Sequence, residues 1–121
     1  MKFAYEPATV EIYGIIRPHT FPGLPNYENV AAGDEPENCW LLHLLTPITV
    51  SANGLKEYPI NNETETNVTE LQLVFMGDGD YPQYRKFVSQ RVKVVGMLFH
   101  QFTGHHHTPV LITVQKIEGL K

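Results

Sequence analysis

Apolar and polar residues alternate along much of this chain, and the alternation begins early. Between Ala8 and Arg17, Val10, Ile12 and Ile16 alternate with Thr9, Glu11 and Tyr13, the period-2 mark of a strand with one buried face. Gly14 interrupts that face, as glycine does where a strand bends or another backbone comes close. Cys39 to Val50 is strongly apolar around Trp40, Leu41, Leu42, Leu44 and Leu45, breaks at Thr46-Pro47 and resumes as Ile48-Thr49-Val50. We read one strand bent near Pro47. Val68, Leu71, Leu73 and Phe75 mark a third strand, with Val74 on its other face, stopped by Gly77-Asp78-Gly79-Asp80. Asp80 can cap a short helix from Tyr81 to Gln90, with Pro82 tolerated in its first turn. Tyr84, Phe87 and Val88 form its apolar face. Arg91 to Phe102 is the clearest strand: Val92, Val94, Gly96, Leu98 and His100 point one way, Val95, Met97 and Phe99 the other. Both faces are expected to be substantially buried. A last strand is predicted from His105 to Ile117, with Val110, Ile112 and Val114 on one face.

Two stretches lack this periodicity. Pro18 to Asn38 contains Pro18, Pro22, Pro25, Pro36, Gly23 and Gly33, and is predicted to be one long irregular loop. Loops of that length are uncommon in small domains and are often functional. Its segment Phe21-Pro22-Gly23-Leu24-Pro25-Asn26-Tyr27 sets two aromatics and a leucine among rigid turn residues, which suits a loop packed by its own side chains. Ser51 to Thr66 is polar, with Asn53-Gly54 as a turn signal.

Five strands with one short helix between the third and fourth predict an all-β fold: an OB-fold-like Greek-key barrel. Gly14 and Gly96 supply the sharp coiling that closure requires. An open β-sandwich is the alternative. The chain has 121 residues, which is one domain, 1–121. That is enough to bury a core without disulfide or metal staples. Cys39 is the single cysteine, so neither an internal disulfide nor a cysteine-based zinc cluster can form. Glu37-Asn38-Cys39-Trp40 offers no cation to activate the thiol, and we read Cys39 as a buried core residue. No stretch approaches the ~20 apolar residues of a membrane helix. Nine Lys plus Arg against 13 Asp plus Glu give a net charge of −4, which argues against a basic nucleic-acid-binding module.

The sharpest chemical feature is His100-Gln101-Phe102-Thr103-Gly104-His105-His106-His107-Thr108-Pro109. If Thr103-Gly104 is a two-residue turn, Phe102 faces His105 and His100 faces His107. His100, Phe102, His105 and His107 then share a face, with Gln101 and His106 on the other. His100, His105 and His107 converging would make a site for a divalent transition metal such as zinc, copper or nickel. A water on that metal could serve hydrolysis. The alternative is a polar hairpin whose histidines bond to backbone, to each other or to a partner. Clustered histidines are also expected to repel once protonated, loosening the hairpin below about pH 6.

Several blocks together resemble the bacterial DUF4431 family: Tyr5-Glu6-Pro7, Phe21-Pro22-Gly23 with Pro25-Asn26-Tyr27, Trp40 with Leu42, Leu44 and Pro47, and Thr103-Gly104-His105-His106-His107-Thr108-Pro109-Val110-Leu111. The resemblance extends from Tyr5 to Ile117. It implies a small exported domain of unknown function, periplasmic or secreted. It supplies no activity. No apolar run follows Lys2 as a signal peptide would require, so this localisation comes from the resemblance alone.

Three functions follow as expectations. The first is a non-enzymatic binding module for a protein or glycan, with a contact surface of Phe21, Tyr27, His100, His105, His106, His107 and Thr108. The Phe21–Tyr27 loop and the histidine hairpin would flank the ligand face of an OB barrel and be neighbours. The second is metal binding by His100, His105 and His107, or a metal-dependent hydrolase built on them. The third, single-stranded nucleic-acid binding, comes from fold analogy and is opposed by the charge.

Overall fold

The computed structural model describes residues 1–52, 54–77, 80–103 and 105–120, with the backbone alone for Glu37 and Tyr81. Six strands carry the fold: β1 (Lys2–Ala4), β2 (Val10–Pro22), β3 (Pro36–Ser51), β4 (Glu65–Val74), β5 (Arg91–His100) and β6 (Val110–Gly119). A short helix, α1 (Asp80–Tyr84), continues as a 3-10 turn over Arg85–Phe87. All six strands lie in one sheet, ordered β1-β3-β2-β5-β6-β4, and β3 also pairs with β4. The ladder thus turns back toward its start. Its β3–β4 seam is interrupted by register shifts on either side of Ile48, so this is a single coiled sheet and not a clean barrel.

The protein is mostly β with one short helix between β4 and β5, as the periodicity predicts. The sixth strand is a difference. Lys2, Phe3 and Ala4 pair in parallel with Thr49, Val50 and Ser51. Three residues are too few to show a period, and their partner lies far along the chain. The shift between His43 and Ile48 is the bend expected near Pro47. The expected helix from Tyr81 to Gln90 shrinks to α1 and the 3-10 turn. Half-buried Phe87 and Val88 pack against the core. Three expected turn or stop signals fall on residues outside those described: Asn53, Asp78 with Gly79, and Gly104.

The long irregular stretch from Pro18 to Asn38 needs correcting. Pro18 to Pro22 pairs antiparallel with Trp40 to Pro36, leaving only the residues between Pro22 and Pro36 as loop. Proline is tolerated because pairing of β2 with β5 ends at Ile15. Past Ile16, which bridges to Val88, no strand among the described residues pairs with that edge of β2, and a missing N–H there leaves no ladder bond unmade. The prolines therefore mark a projecting two-stranded arm.

One core cluster joins the strands through Tyr5, Ile16, Leu42, Leu71, Val92 and Ile112, among others. Two glycines let the strands approach. A Cβ on Gly14 would collide with the His43 carbonyl oxygen and the Leu42 side chain, and one on Gly96 with the Thr113 carbonyl oxygen. The β5–β6 register shifts between Val95 and Gly96, a bulge beside that glycine.

Candidate functional site

The loop joining β5 to β6 differs from the expected two-residue hairpin. His100 pairs with Val110, and the Gln101 N–H donates to the Pro109 carbonyl at 3.0 Å. The described residues from Phe102 to Thr108 lie outside the ladder, so His100 does not face His107 and Phe102 does not face His105. Side chains replace the missing ladder bonds. Thr108 Oγ1 donates to the Val110 carbonyl at 2.6 Å and accepts from the Gln72 N–H at 3.0 Å. Such side-chain bonds offer backbone an alternative to strand pairing.

Gln72 of β4 holds this loop from beneath. It is 7% exposed. Its Nε2 donates to the His105 carbonyl at 3.0 Å, and its Oε1 accepts from the His107 N–H at 2.7 Å. Cys39 is buried, as expected, and its Sγ lies 3.6 Å from Gln72 Nε2.

With its backbone so held, the loop sends its three histidines to separate surroundings. His107 stacks on Phe21 with centroids 4.0 Å apart and planes 4° apart, and His19 stacks on Phe21 at 4.4 Å. His105 meets Tyr27 edge-on at 5.7 Å. His106 accepts the Phe102 N–H on Nδ1 at 3.0 Å and lies edge-on to Phe102 and Phe99. The loop after β2 and the loop after β5 are therefore neighbours, as expected from the sequence. Phe21 is half-buried inside a stack of three rings, while Tyr27 and His105 are exposed.

Asp34 shapes the first loop. Its carboxylate accepts from the N–H groups of Asn26 (3.0 Å), Glu28 (2.8 Å) and Asn29 (2.9 Å). Bonds from Asn29 and Glu28 lower its pKa most; burial opposes them, and Asn26 adds a further lowering. Donors clustered on a carboxylate favour its charged form. They also bracket Tyr27, whose φ of +56° lies in the left-handed region. A bulky residue there is strained by about 1–3 kcal/mol. The carboxylate and the Tyr27 N–H bond to the Gly23 carbonyl (2.8 Å) hold it in place.

His100 belongs to a different group. Its Nε2 lies 2.6 Å from Glu65 Oε2 and 3.0 Å from Glu63 Oε2, and its Nδ1 lies 3.0 Å from the Gln101 carbonyl oxygen. Buried Asn61 accepts the His100 N–H at 2.9 Å and donates to Glu6 at 3.0 Å. Tyr5, fully buried, donates its hydroxyl to the Glu63 carbonyl at 2.7 Å. Burial, then the charges of Glu65 and Glu63, hold the Tyr5 hydroxyl far above its usual range. For His100, burial is the largest single influence and lowers the pKa. The Glu65 hydrogen bond, the Gln101 carbonyl and the charges of Glu65 and Glu63 together outweigh it, so the net shift is upward. This reverses the expected repulsion for His100, because its protonation is favoured by two carboxylates. Among the described residues, Glu63, Glu65 and His100 present metal-capable atoms within 4.8 Å of one another. The structure thus groups His100 with these carboxylates rather than with His105 and His107.

A family comparison places this sequence. Residues 70–118 match the family model of DUF4431, a domain of unknown function. The likeness to DUF4431 is carried by the C-terminal two-fifths of the chain. The DUF4431 match runs from β4 through α1 and β5 to β6, and includes Gln72 and every residue of the histidine loop. The Phe21–Tyr27 loop, Glu63 and Glu65 lie before it. No curated protein matches the chain.

Several residues of the site escape a reading of sequence. Glu63 and Glu65 sit in a polar stretch, and the one available signal was their i, i+2 spacing, which puts both on one side of an extended chain. Gln72, between Leu71 and Leu73, reads as a solvent-facing position, yet its face of β4 is covered by the histidine loop. Asp34 reads as part of an acidic turn.

Proposed function

We propose that this protein is a small, non-enzymatic, extracytoplasmic binding module built on an OB-fold-like barrel. Its contact surface is the Phe21–Tyr27 loop together with the His100–Thr108 loop. Counting the long strands from β2, the ring of pairings and the helix between the third and fourth strands support that architecture. In OB folds the loops between strands 1 and 2 and between strands 4 and 5 border the ligand face. Their counterparts here are the two loops in contact.

The stacking of His107 on Phe21 at 4.0 Å, joined by Tyr27 against His105, is the observation that carries this reading. It makes one surface of two segments distant in sequence. Asp34 and Gln72 hold its loops in shape before any partner arrives, which lowers the ordering cost of binding. The partner is a protein or a glycan of the extracytoplasmic space, met by exposed Tyr27 and Leu24 as apolar contacts. Screening against glycan arrays and envelope proteins, comparing wild type with Tyr27→Ala and His105→Ala, tests this. A ligand that loses at least about tenfold in affinity, or about 1.4 kcal/mol, in either variant supports the assignment. A ligand bound equally by both variants places the contact surface elsewhere.

A further inference from the structure

We propose that Glu63, Glu65 and His100 form a binding site for a divalent transition-metal ion, with zinc the ion best suited to the donors. A backbone carbonyl can only accept, so at 3.0 Å from the Gln101 oxygen His100 Nδ1 carries a proton. In the neutral ring that leaves the Nε2 lone pair aimed at two carboxylate oxygens, 2.6 and 3.0 Å away. Three electron-rich atoms at that spacing require a cation among them. A second proton on the ring is one such cation; a metal ion is the other.

The surroundings favour a metal. An imidazole held by a carbonyl on its far nitrogen is the usual outer-shell arrangement of a ligating histidine, fixing tautomer and ring orientation. The ring has little freedom, since its backbone N–H is tied to buried Asn61. One nitrogen and two carboxylate oxygens form a mixed set that suits zinc, whereas calcium and magnesium favour oxygen alone. Zinc–ligand bonds of about 2.0–2.2 Å require the shorter N–O separation to widen by less than about one ångström. That widening falls to Glu65, whose side chain is 25% exposed beside His100 at 11%, while Glu63, 69% exposed, has only to open from 3.0 Å. An ion can enter from solvent on the Glu63 side. Glu65 also lines a groove of about 220 Å³ that reaches His107, which brings the metal site to the edge of the proposed contact surface. The site differs from the one expected in sequence, because His105 and His107 contribute nothing to it.

Calorimetric titration of zinc chloride into the untagged, chelator-stripped full chain tests the proposal, with cobalt(II) absorption as a second readout. One ion per chain is expected. Glu63→Gln and Glu65→Gln should each weaken binding by at least about tenfold, the lower end of what even outer-shell changes cost. His105→Ala with His107→Ala should leave it unchanged. Glu63 is exposed, so its variant tests the site without threatening the fold. No uptake by wild type at excess zinc, uptake indifferent to Glu63→Gln and Glu65→Gln, or uptake abolished by the His105/His107 pair would overturn the assignment.

Discussion

Gln72 is the most informative position to perturb, because one buried side chain shapes the whole histidine loop. Gln72→Met keeps the length and most of the volume while deleting both polar atoms. The Gln72 backbone N–H still donates to Thr108 Oγ1, so the strand end is untouched. Two bonds to the loop disappear, Nε2 to the His105 carbonyl at 3.0 Å and Oε1 from the His107 N–H at 2.7 Å, together with the 3.6 Å contact of Nε2 with Cys39 Sγ. Each removes a partner from a backbone group at a partly buried site, and such losses cost about 1–3 kcal/mol apiece. Water can reach a surface loop, which favours the low end, so the expected sum is about 2–3 kcal/mol. For a domain of this size that lowers Tm by roughly 6–15 °C. Urea unfolding followed through Trp40 fluorescence gives the free energy, and amide exchange at His107 reports the loop directly. A Met variant within about 0.5 kcal/mol of wild type, with His107 exchange unchanged, would show that Gln72 does not hold the loop.

Other expectations follow from the same geometry. Gly96→Ala drives a Cβ into the Thr113 carbonyl and should destabilise by at least about 1–3 kcal/mol in chemical denaturation. His100 has a raised pKa in the fold, so its pairing with Glu65 and Glu63 is fully present below the ordinary value of 6.5 and fades as pH rises through the native value. In chelator-treated protein, the stability difference between wild type and Glu65→Gln should therefore be larger at pH 5.5–6 than at pH 8–9, as read by urea midpoints; an identical difference at both would refute the pairing. Asp34 has a lowered pKa, so the order it gives residues 26–29 is present above the ordinary carboxylate range and lost only as pH falls through the depressed native value. Asp34→Asn should speed amide exchange at Glu28 or Asn29 at neutral pH, because its single carbonyl oxygen cannot serve all three donors.

Local pattern carried the strands well, because a two-residue period reports which face meets the core. Val92, Val94 and Leu98 are all fully buried, and Gly14 and Gly96 stand where strands crowd. It failed where proline and histidine were weighed by their usual habits. The prolines of β2 occupy an arm whose outer edge has no partner strand among the described residues. His105 to Pro109 lies outside the β5–β6 ladder, and the Gln72 side chain bonds the His105 carbonyl and the His107 N–H there instead.

By itself, the sequence determined an acidic, mostly β chain, pointed to DUF4431, and marked the two loops that meet. Periodicity, turn chemistry and charge act over a few residues, so they can be read from neighbours in the chain. Only the tertiary structure decided where the histidines go. It sent His107 to Phe21, His105 to Tyr27 and His100 to Glu63 and Glu65, pairs separated by dozens of residues. Strand register and coiling set those meetings, and a one-residue change of register would move every side chain to the opposite face.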